Sequence, residues 1–357
     1  MPAGNGGARP LGGLVTLAST NNPPGCRRGC VCVSEDCRHA GALPRHGRIG
    51  IRAGKAACLV LSFGGRGAIL ARVSVPAFSQ PGADVFVPDG SSVEQALART
   101  THLGIAAHAD DLEFFAWHGI SACFASNDQW FTGIVLTDGA GSPRIGQYAG
   151  YSEREMVEAR RAEQRAAAVI GEYSAVVQLG HPSAAVKDAM NDTPVQELAL
   201  LLGRMRPHTV YLHNPADRHD THIATFLRSL AALRAQPQET RPAKVYGCEV
   251  WRDLDWLVGD SKVALPAGDR PHLQSALAGV FDTQISGGKR YDLAVAGRRL
   301  AHATFHDSHA VDDAHGLTYA MDLTPLVQDD ALDPVAFTIA HVKRLADDIW
   351  SRFTRVG

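Results

Sequence analysis

The chain has 357 residues, 45% hydrophobic and 20% charged, enough apolar material to bury a sizeable core in one large α/β domain with appendages. Its formal net charge of -2 argues against nucleic acid or an anionic membrane surface as a partner, and no apolar run reaches bilayer-spanning length, which excludes stable membrane insertion. Seven cysteines, an odd number, favour reduced thiols over a disulfide scaffold and a cytoplasmic location.

Residues 1–80 are rich in Gly, Pro, Arg and Cys and sustain no periodicity outside 56–63 and 68–75. They read as a disordered or non-native leader, with the domain occupying 81–357 and starting near Asp84-Val-Phe-Val-Pro. Cys26, Cys30, Cys32 and Cys37 cluster near His39, but without the paired Cys-x-x-Cys spacing of a zinc knuckle. The apolar stretch at 11–18 is too short and interrupted for a signal-peptide core.

From residue 91 the pattern becomes regular. A short helix over 91–99 leads into an apolar run, 103–107, that reads as a buried strand and empties into His108, Asp110 and Asp111. His108 and Asp111 are three apart in a tight turn, so both can face one cation, leaving Asp110 to handle a proton. The spacing next predicts a helix over 113–124 with Phe114, Phe115 and Trp117 inward, then a strand over 131–136. That strand ends in the Gly-rich loop Thr137-Asp138-Gly139-Ala140-Gly141-Ser142-Pro143-Arg144. Ser152 with Glu155 forms a capping box opening a helix to Ile170 that carries Arg160, Arg161 and Glu163. A strand over 175–179 precedes a helix starting at Thr193 and Pro194, with Leu198, Leu201, Leu202 and Met205 as its buried stripe.

The strand at 209–212 leads to His213-Asn214-Pro215-Ala216-Asp217-Arg218 and then to His219 and His222. These two stand three apart where a helical period begins, so both imidazoles face the same way, with Asp217 or Asp220 available to orient one of them. Two nitrogens and one carboxylate with an open fourth position make a catalytic zinc arrangement rather than a closed structural one. A strand over 244–250 and a helix over 273–281 follow. Arg252 and Lys289, near Trp251, Trp256 and Tyr291, could close over a polar or anionic substrate. His302, His306, His309 and His315, with Asp312 and Asp313, form a second His/Asp-rich stretch, but no apolar strand aims them at a common point. Asp333-Pro334 opens a terminal helix to about Phe353, expected to turn Val335, Ile339, Val342, Leu345 and Ile349 inward. Strands alternating with helices give a three-layer α/β/α sandwich with a Rossmann-like, mainly parallel sheet.

His108-Ala109-Asp110-Asp111 followed by His219-x-x-His222 resembles the PIG-L/LmbE-like zinc-dependent N-deacetylases, which remove acetyl groups from N-acetyl amino sugars. The resemblance implies Zn²⁺ held by His108, Asp111 and His222, with Asp110 as general base and His219, protonated, assisting the transition state. It also implies substrate contacts from the loop carrying Asp138 and Arg144, and from Arg161 in the long helix. Ala109 stands where the family usually has Pro, and His219-Asp220-Thr221-His222 where it has His-Pro-Asp-His, but the spacing survives. The expected activity is therefore deacetylation of an N-acetyl sugar or a conjugate of one, with homo-oligomerisation left open. The alternatives are hydrolysis of another amide or an ester, or a catalytically silent carbohydrate-binding protein.

Overall fold

A computed structural model describes residues 77–357. The cysteine cluster, the runs at 56–63 and 68–75, and all but the last four residues of the expected leader lie outside the described residues.

Eight strands form one sheet: β1 (Asp84–Phe86), β2 (His102–Ala106), β3 (Phe131–Thr137), β4 (Ala175–His181), β5 (Thr209–His213), β6 (Lys244–Cys248), β7 (Val263–Pro266) and β8 (Leu317–Asp322). Their order across the sheet is β1-β4-β3-β2-β5-β6-β8-β7. The central strands β4, β3, β2, β5 and β6 run parallel, while β1 at one edge and β8 and β7 at the other join antiparallel. The helices are α1 (Val93–Ala98), α2 (Asp111–Phe115), α3 (Trp117–Cys123), α4 (Glu153–Ile170), α5 (Ser183–Lys187), α6 (Thr193–Met205), α7 (Asp220–Arg234), α8 (Pro271–Gly279), α9 (Asp282–Ile285), α10 (Tyr291–Thr304), α11 (Thr324–Gln328) and α12 (Pro334–Val356).

Alternation along each central strand sends successive side chains to opposite faces, and both faces are covered. Leu103, Ile105, Ile134, Val177, Val210 and Leu212 pack under α1, α6 and α7, where the expected stripe Leu198, Leu201, Leu202 and Met205 is buried. Ala106, Phe131, Val135, Val176 and Tyr211 pack under α2, α3, α4 and α8. The result is the three-layer α/β/α sandwich. Burying each of these large side chains stabilises the fold by roughly 1.5–3 kcal/mol before the entropy of ordering is set against it.

Two glycines decide how closely the site approaches the sheet. A Cβ on Gly104 or Gly133 would come within 2.7 or 2.5 Å of the Leu112 methyls, so their absence lets α2 lie directly on β2 and β3. Asp111, the first residue of α2, is thereby held at the end of β2. The chain runs from β2 to β3 and β4 on one side, then crosses to β5 and β6 on the other. The strand order thus reverses between β2 and β5, and the crevice outside their carboxyl ends is where such sheets hold ligands.

Several boundaries depart from the sequence expectation. The helix over 113–124 is two helices, broken at Ala116, yet Phe114, Phe115 and Trp117 are buried as expected. The strands β7 and β8 and the helix α10 lie in stretches with no regular sequence pattern. The terminal helix is a larger correction. Val335, Ile339, Val342 and Ile349 are exposed, because the face turned to the body is the one carrying Phe337 and His341.

Candidate active site

The two sequence motifs meet at the β2/β5 crevice. Ala106 ends β2 and His213 ends β5, and between them His213 accepts a hydrogen bond from the Ala107 amide at Nε2, 2.9 Å. That bond uses the Nε2 lone pair, and burial pushes the imidazole down to about 4, so His213 is a neutral anchor. His108 follows at once, with its backbone N–H donating to Asp111 Oδ2 at 2.8 Å. From the β5 side the chain passes through an Asn214 turn to His219, the residue before α7, and His222 in its first turn.

His108 Nδ1, Asp111 Oδ2 and His222 Nε2 form a nearly equilateral triangle with sides of 3.2, 3.3 and 3.4 Å. Nitrogen and oxygen ligands about 2.0–2.1 Å from a tetrahedral zinc ion lie about 3.3–3.4 Å from one another, so the triangle has the edge length of such a site. The donor chemistry agrees. His222 Nδ1 is 3.2 Å from Asp217 Oδ2, which fixes the proton on that side and turns the Nε2 lone pair towards the triangle, the outer support that metal-bound imidazoles require. Asp220 is exposed and plays no such part. A second metal-capable group, His213 with Asp217 and His222, has the wrong lone pairs free, since Nε2 of His213 and Nδ1 of His222 are already engaged. Burial opposes ionisation of Asp111, but His222 beside it, with the hydrogen bond from His108, holds its carboxyl well below the usual range.

Asp110 is placed by strain. Its φ of 90° is left-handed and uncommon for a residue with a side chain, and the neighbours on either side of its peptide hold it there. Arg160 donates to the Ala109 carbonyl at 2.5 Å and to Ser142 Oγ, while Gln164, one turn along α4, accepts the Asp110 N–H at 3.2 Å. Gln164 in turn donates to Glu113 Oε1 at 2.8 Å, which also accepts the Tyr173 hydroxyl at 2.7 Å. Burial raises the Asp110 carboxyl well above the ordinary value; Arg160, 3.5 Å away, pulls it back, and Asp111, Glu113 and Glu163 push it further up. Burial likewise lowers His219, helped by His222 and His108. Its Nδ1 accepts the Thr221 N–H at 3.2 Å, which leaves Nε2 as a donor on a neutral ring. The protonated His219 expected from the sequence is disfavoured in this surrounding.

Residues 103–233 match the family model described as PIG-L, GlcNAc-PI de-N-acetylase. Over these residues the chain is similar to the PIG-L family. The match spans both motifs. No curated protein matches the chain. Among solved structures it is similar to N,N'-diacetylchitobiose deacetylase from Pyrococcus horikoshii, at 13% identity and a TM-score of 0.49 over 62% of this chain and 83% of that one. It is also similar to GalB, the 4-carboxy-2-hydroxymuconate hydratase of Pseudomonas putida KT2440, at 19% identity and a TM-score of 0.48 over 63% and 97%. A third is the conserved protein TT1542 of Thermus thermophilus, at 18% identity and a TM-score of 0.47 over 61% and 93%. Likenesses this distant carry nothing about chemistry.

The motif residues of the matched stretch border a cavity of about 580 Å³, lined by His108, Asp110, Asp111 and His219 at one end. Its other wall comes from beyond the matched stretch, with Trp251, Lys289, Tyr291 and Arg298 among the lining residues. Lys289 Nζ lies 5.2 Å from the Trp251 ring centroid, and Arg298 donates to the Val250 carbonyl at 2.5 Å. Arg218, exposed at the rim, adds a third cation.

Of the five substrate contacts expected from the sequence, the structure brings Lys289 alone to the cavity wall. Asp138 caps its own loop by accepting the Ala140 N–H, and Arg144 donates to the Ala140 carbonyl, although Gly139, Gly141 and Ser142 of that loop do line the cavity. Arg252 is exposed and donates to the Ala216 carbonyl. Arg161 points away and donates to the Gly82 carbonyl at 2.6 Å, while its neighbour Arg160 faces the site. The signal that separates these two was present in the sequence. Met156, Gln164 and Ala167 set the inward stripe of α4, and Arg160 lies on it whereas Arg161 is a further ~100° round. His302 is engaged by Glu249 and His306 by the Tyr319 hydroxyl, and among the described residues no metal-capable group includes them.

Proposed function

We propose that this protein is a zinc-dependent N-deacetylase acting on an N-acetylated amino sugar or a conjugate that bears an anionic group. The observation that carries the reading is the triangle of His108, Asp111 and His222 with a strained, buried Asp110 next to it at the end of a ligand-sized cavity. The family match supports the acyl-amide class of substrate. Trp251 and Tyr291 supply aromatic faces for a sugar ring, and Arg218, Lys289 and Arg298 supply cations for an anionic substituent.

When bound by the triangle, zinc would polarise the acyl oxygen and ease deprotonation of water. Asp110 then accepts a proton from the attacking water, a task suited to a carboxyl whose buried setting raises its proton affinity above the ordinary value. His219 donates from Nε2 to the oxygen on which negative charge develops, at no cost of protonating the ring. Asp110 returns its proton to the departing amine, and acetate and the free amino sugar leave. Arg160 and Gln164 keep the Asp110 peptide in its strained form throughout. We take residues 81–357 as the catalytic domain. The buried, free Cys123 and Cys248 fit a reducing, cytoplasmic setting, and no described helix is long and apolar enough to cross a membrane.

The test is acetate release from a panel of N-acetyl sugars, each with and without a phosphate or carboxylate substituent, using protein reconstituted with zinc. Release from the anionic members, abolished by a chelator, is expected. Release unaffected by stripping the metal would refute the reading, and a preference for neutral members would refute its anionic part.

A further inference from the structure

The terminal helix α12 has two faces with different patterns. Phe337 packs on the core, His341 is buried and donates to the Phe337 carbonyl, and Arg344 donates to Ser261 at 2.7 Å, so this side is turned to the body. On the opposite side Val335, Ile339, Val342, Ala346, Ile349, Phe353 and Val356 alternate at spacings of four and three over three heptads. All are exposed, the larger ones by 45% to 83%, and every residue from 349 to 357 is exposed as well. Strict four-three alternation is the seam of a helix that packs against another helix, since it keeps one narrow stripe facing its partner. Two further turns of apolar helix standing free in water are marginal on their own and gain stability by packing.

We propose that this stripe pairs with the same stripe of a second copy, antiparallel, about a two-fold axis at Ala346. The pattern itself is self-complementary. Ile339 and Phe353 lie seven residues either side of Ala346, Val342 and Ile349 four and three, and Val335 and Val356 eleven and ten, so reversal sets apolar residues against apolar ones. A two-fold axis requires this of a single patch that meets itself. The smallest side chain of the stripe stands at its midpoint, where the axis brings the backbones nearest. Lys343 and Trp350 flank the seam on one side, and reversal sets the cation of one copy beside the indole of the other. The exposed parts of the stripe and Trp350 amount to on the order of 800 Å² of apolar surface, what each partner of a standard-size interface contributes. The active-site crevice is built from other elements, so pairing leaves it untouched.

Light scattering and sedimentation of the full chain at micromolar concentration are expected to give twice its 38.1 kDa. Val342→Glu combined with Ile349→Glu should halve that mass with an unchanged circular dichroism spectrum. Ala346→Cys should form a reducible cross-linked dimer above the wild-type background, whereas Val335→Cys should not. A monomeric wild type, with the stripe covered by residues 1–76 or by another protein, would overturn the proposal. So would a dimer that survives the double substitution. Cross-linking at 335 as strong as at 346 would overturn the antiparallel arrangement.

Discussion

The two ends of the cavity are built in different ways. At the β2/β5 end, His108 and Asp111 follow directly on β2 and His222 stands in the first turn of the helix after β5, and these two connections bring the three to 3.2–3.4 Å of each other. At the opposite end the wall is made by Trp251, Lys289 and Arg298, from a loop, a turn and the helix α10, and their positions depend on how those pieces pack. Local order fixes the first end and tertiary packing fixes the second. The residues to which we assign the chemistry lie at the first, and the groups we propose to recognise a substrate's outer part lie at the second.

If that division is right, the largest effects belong to the strand-end residues. Alanine at His108, Asp111 or His222 is expected to abolish stoichiometric metal binding, because three ligands leave no spare. Elemental analysis of the purified variants checks it, and retained zinc in any one of them removes that residue from the set. Next comes the support of Asp110. Arg160→Met leaves the Ala109 carbonyl and the Asp110 carboxyl without their buried cation, and is expected to cost roughly 3–5 kcal/mol of stability. Arg161→Ala, which removes a contact to Gly82 alone, should cost about 1 kcal/mol or less and leave turnover unchanged. Urea melts and kcat/KM for this adjacent pair separate the two faces of α4, and equal effects would break the distinction.

A pH experiment sharpens the same point. Glu113 is buried, and burial raises its carboxyl from 4.5 to about 7 despite hydrogen bonds from Tyr173 and Gln164. A raised carboxyl binds its proton more tightly in the folded state. Its contribution to stability is therefore fully present below about 4.5 and is lost as pH rises to about 7, a change on the order of 3 kcal/mol. Glu113→Gln should flatten the fall of stability across that window in the metal-free protein. Melts at several pH values with identical slopes for both proteins would contradict this. The smallest effects belong to the far wall. Lys289→Gln or Arg298→Gln should raise KM for an anionic substrate by about tenfold, the scale of one exposed charge contact, with metal content unchanged and little loss of kcat. Arg252→Ala should alter neither. A kcat loss at the far wall as large as that from Arg160→Met would erase the contrast between the two ends.

The same contrast explains what the sequence disclosed. The parallel strands, the capping box at Ser152 and the stripe of α6 were legible because apolar runs and caps are local signals. The motif ends were legible because a polar residue directly after a buried strand has few places to go. Arg161 was misplaced by one residue because two adjacent arginines differ only in which face of α4 they occupy, and Met156 and Gln164 set that face. Asp138 and Arg144 were drawn into their own loop by backbone groups that any turn must satisfy. Arg218 and Arg298 gave no signal, since nothing local marks an arginine that a fold later brings to a cavity, whereas Tyr291 was singled out with its neighbour Lys289. The stripe on α12 was read as core because periodicity reports an apolar face without saying what covers it.

The central claim is that Asp110 moves a proton beside a metal held by its neighbours, and one variant tests it most directly. Asp110→Asn keeps the shape and the Gln164 and Arg160 contacts of the backbone but cannot accept a proton. Zinc content and turnover are measured on the same preparation. Zinc retained at the wild-type level with turnover reduced about 10²–10⁴-fold, the usual loss when a general base is removed, is the expected result. Full turnover with zinc bound, or loss of the zinc itself, would contradict the role assigned to Asp110.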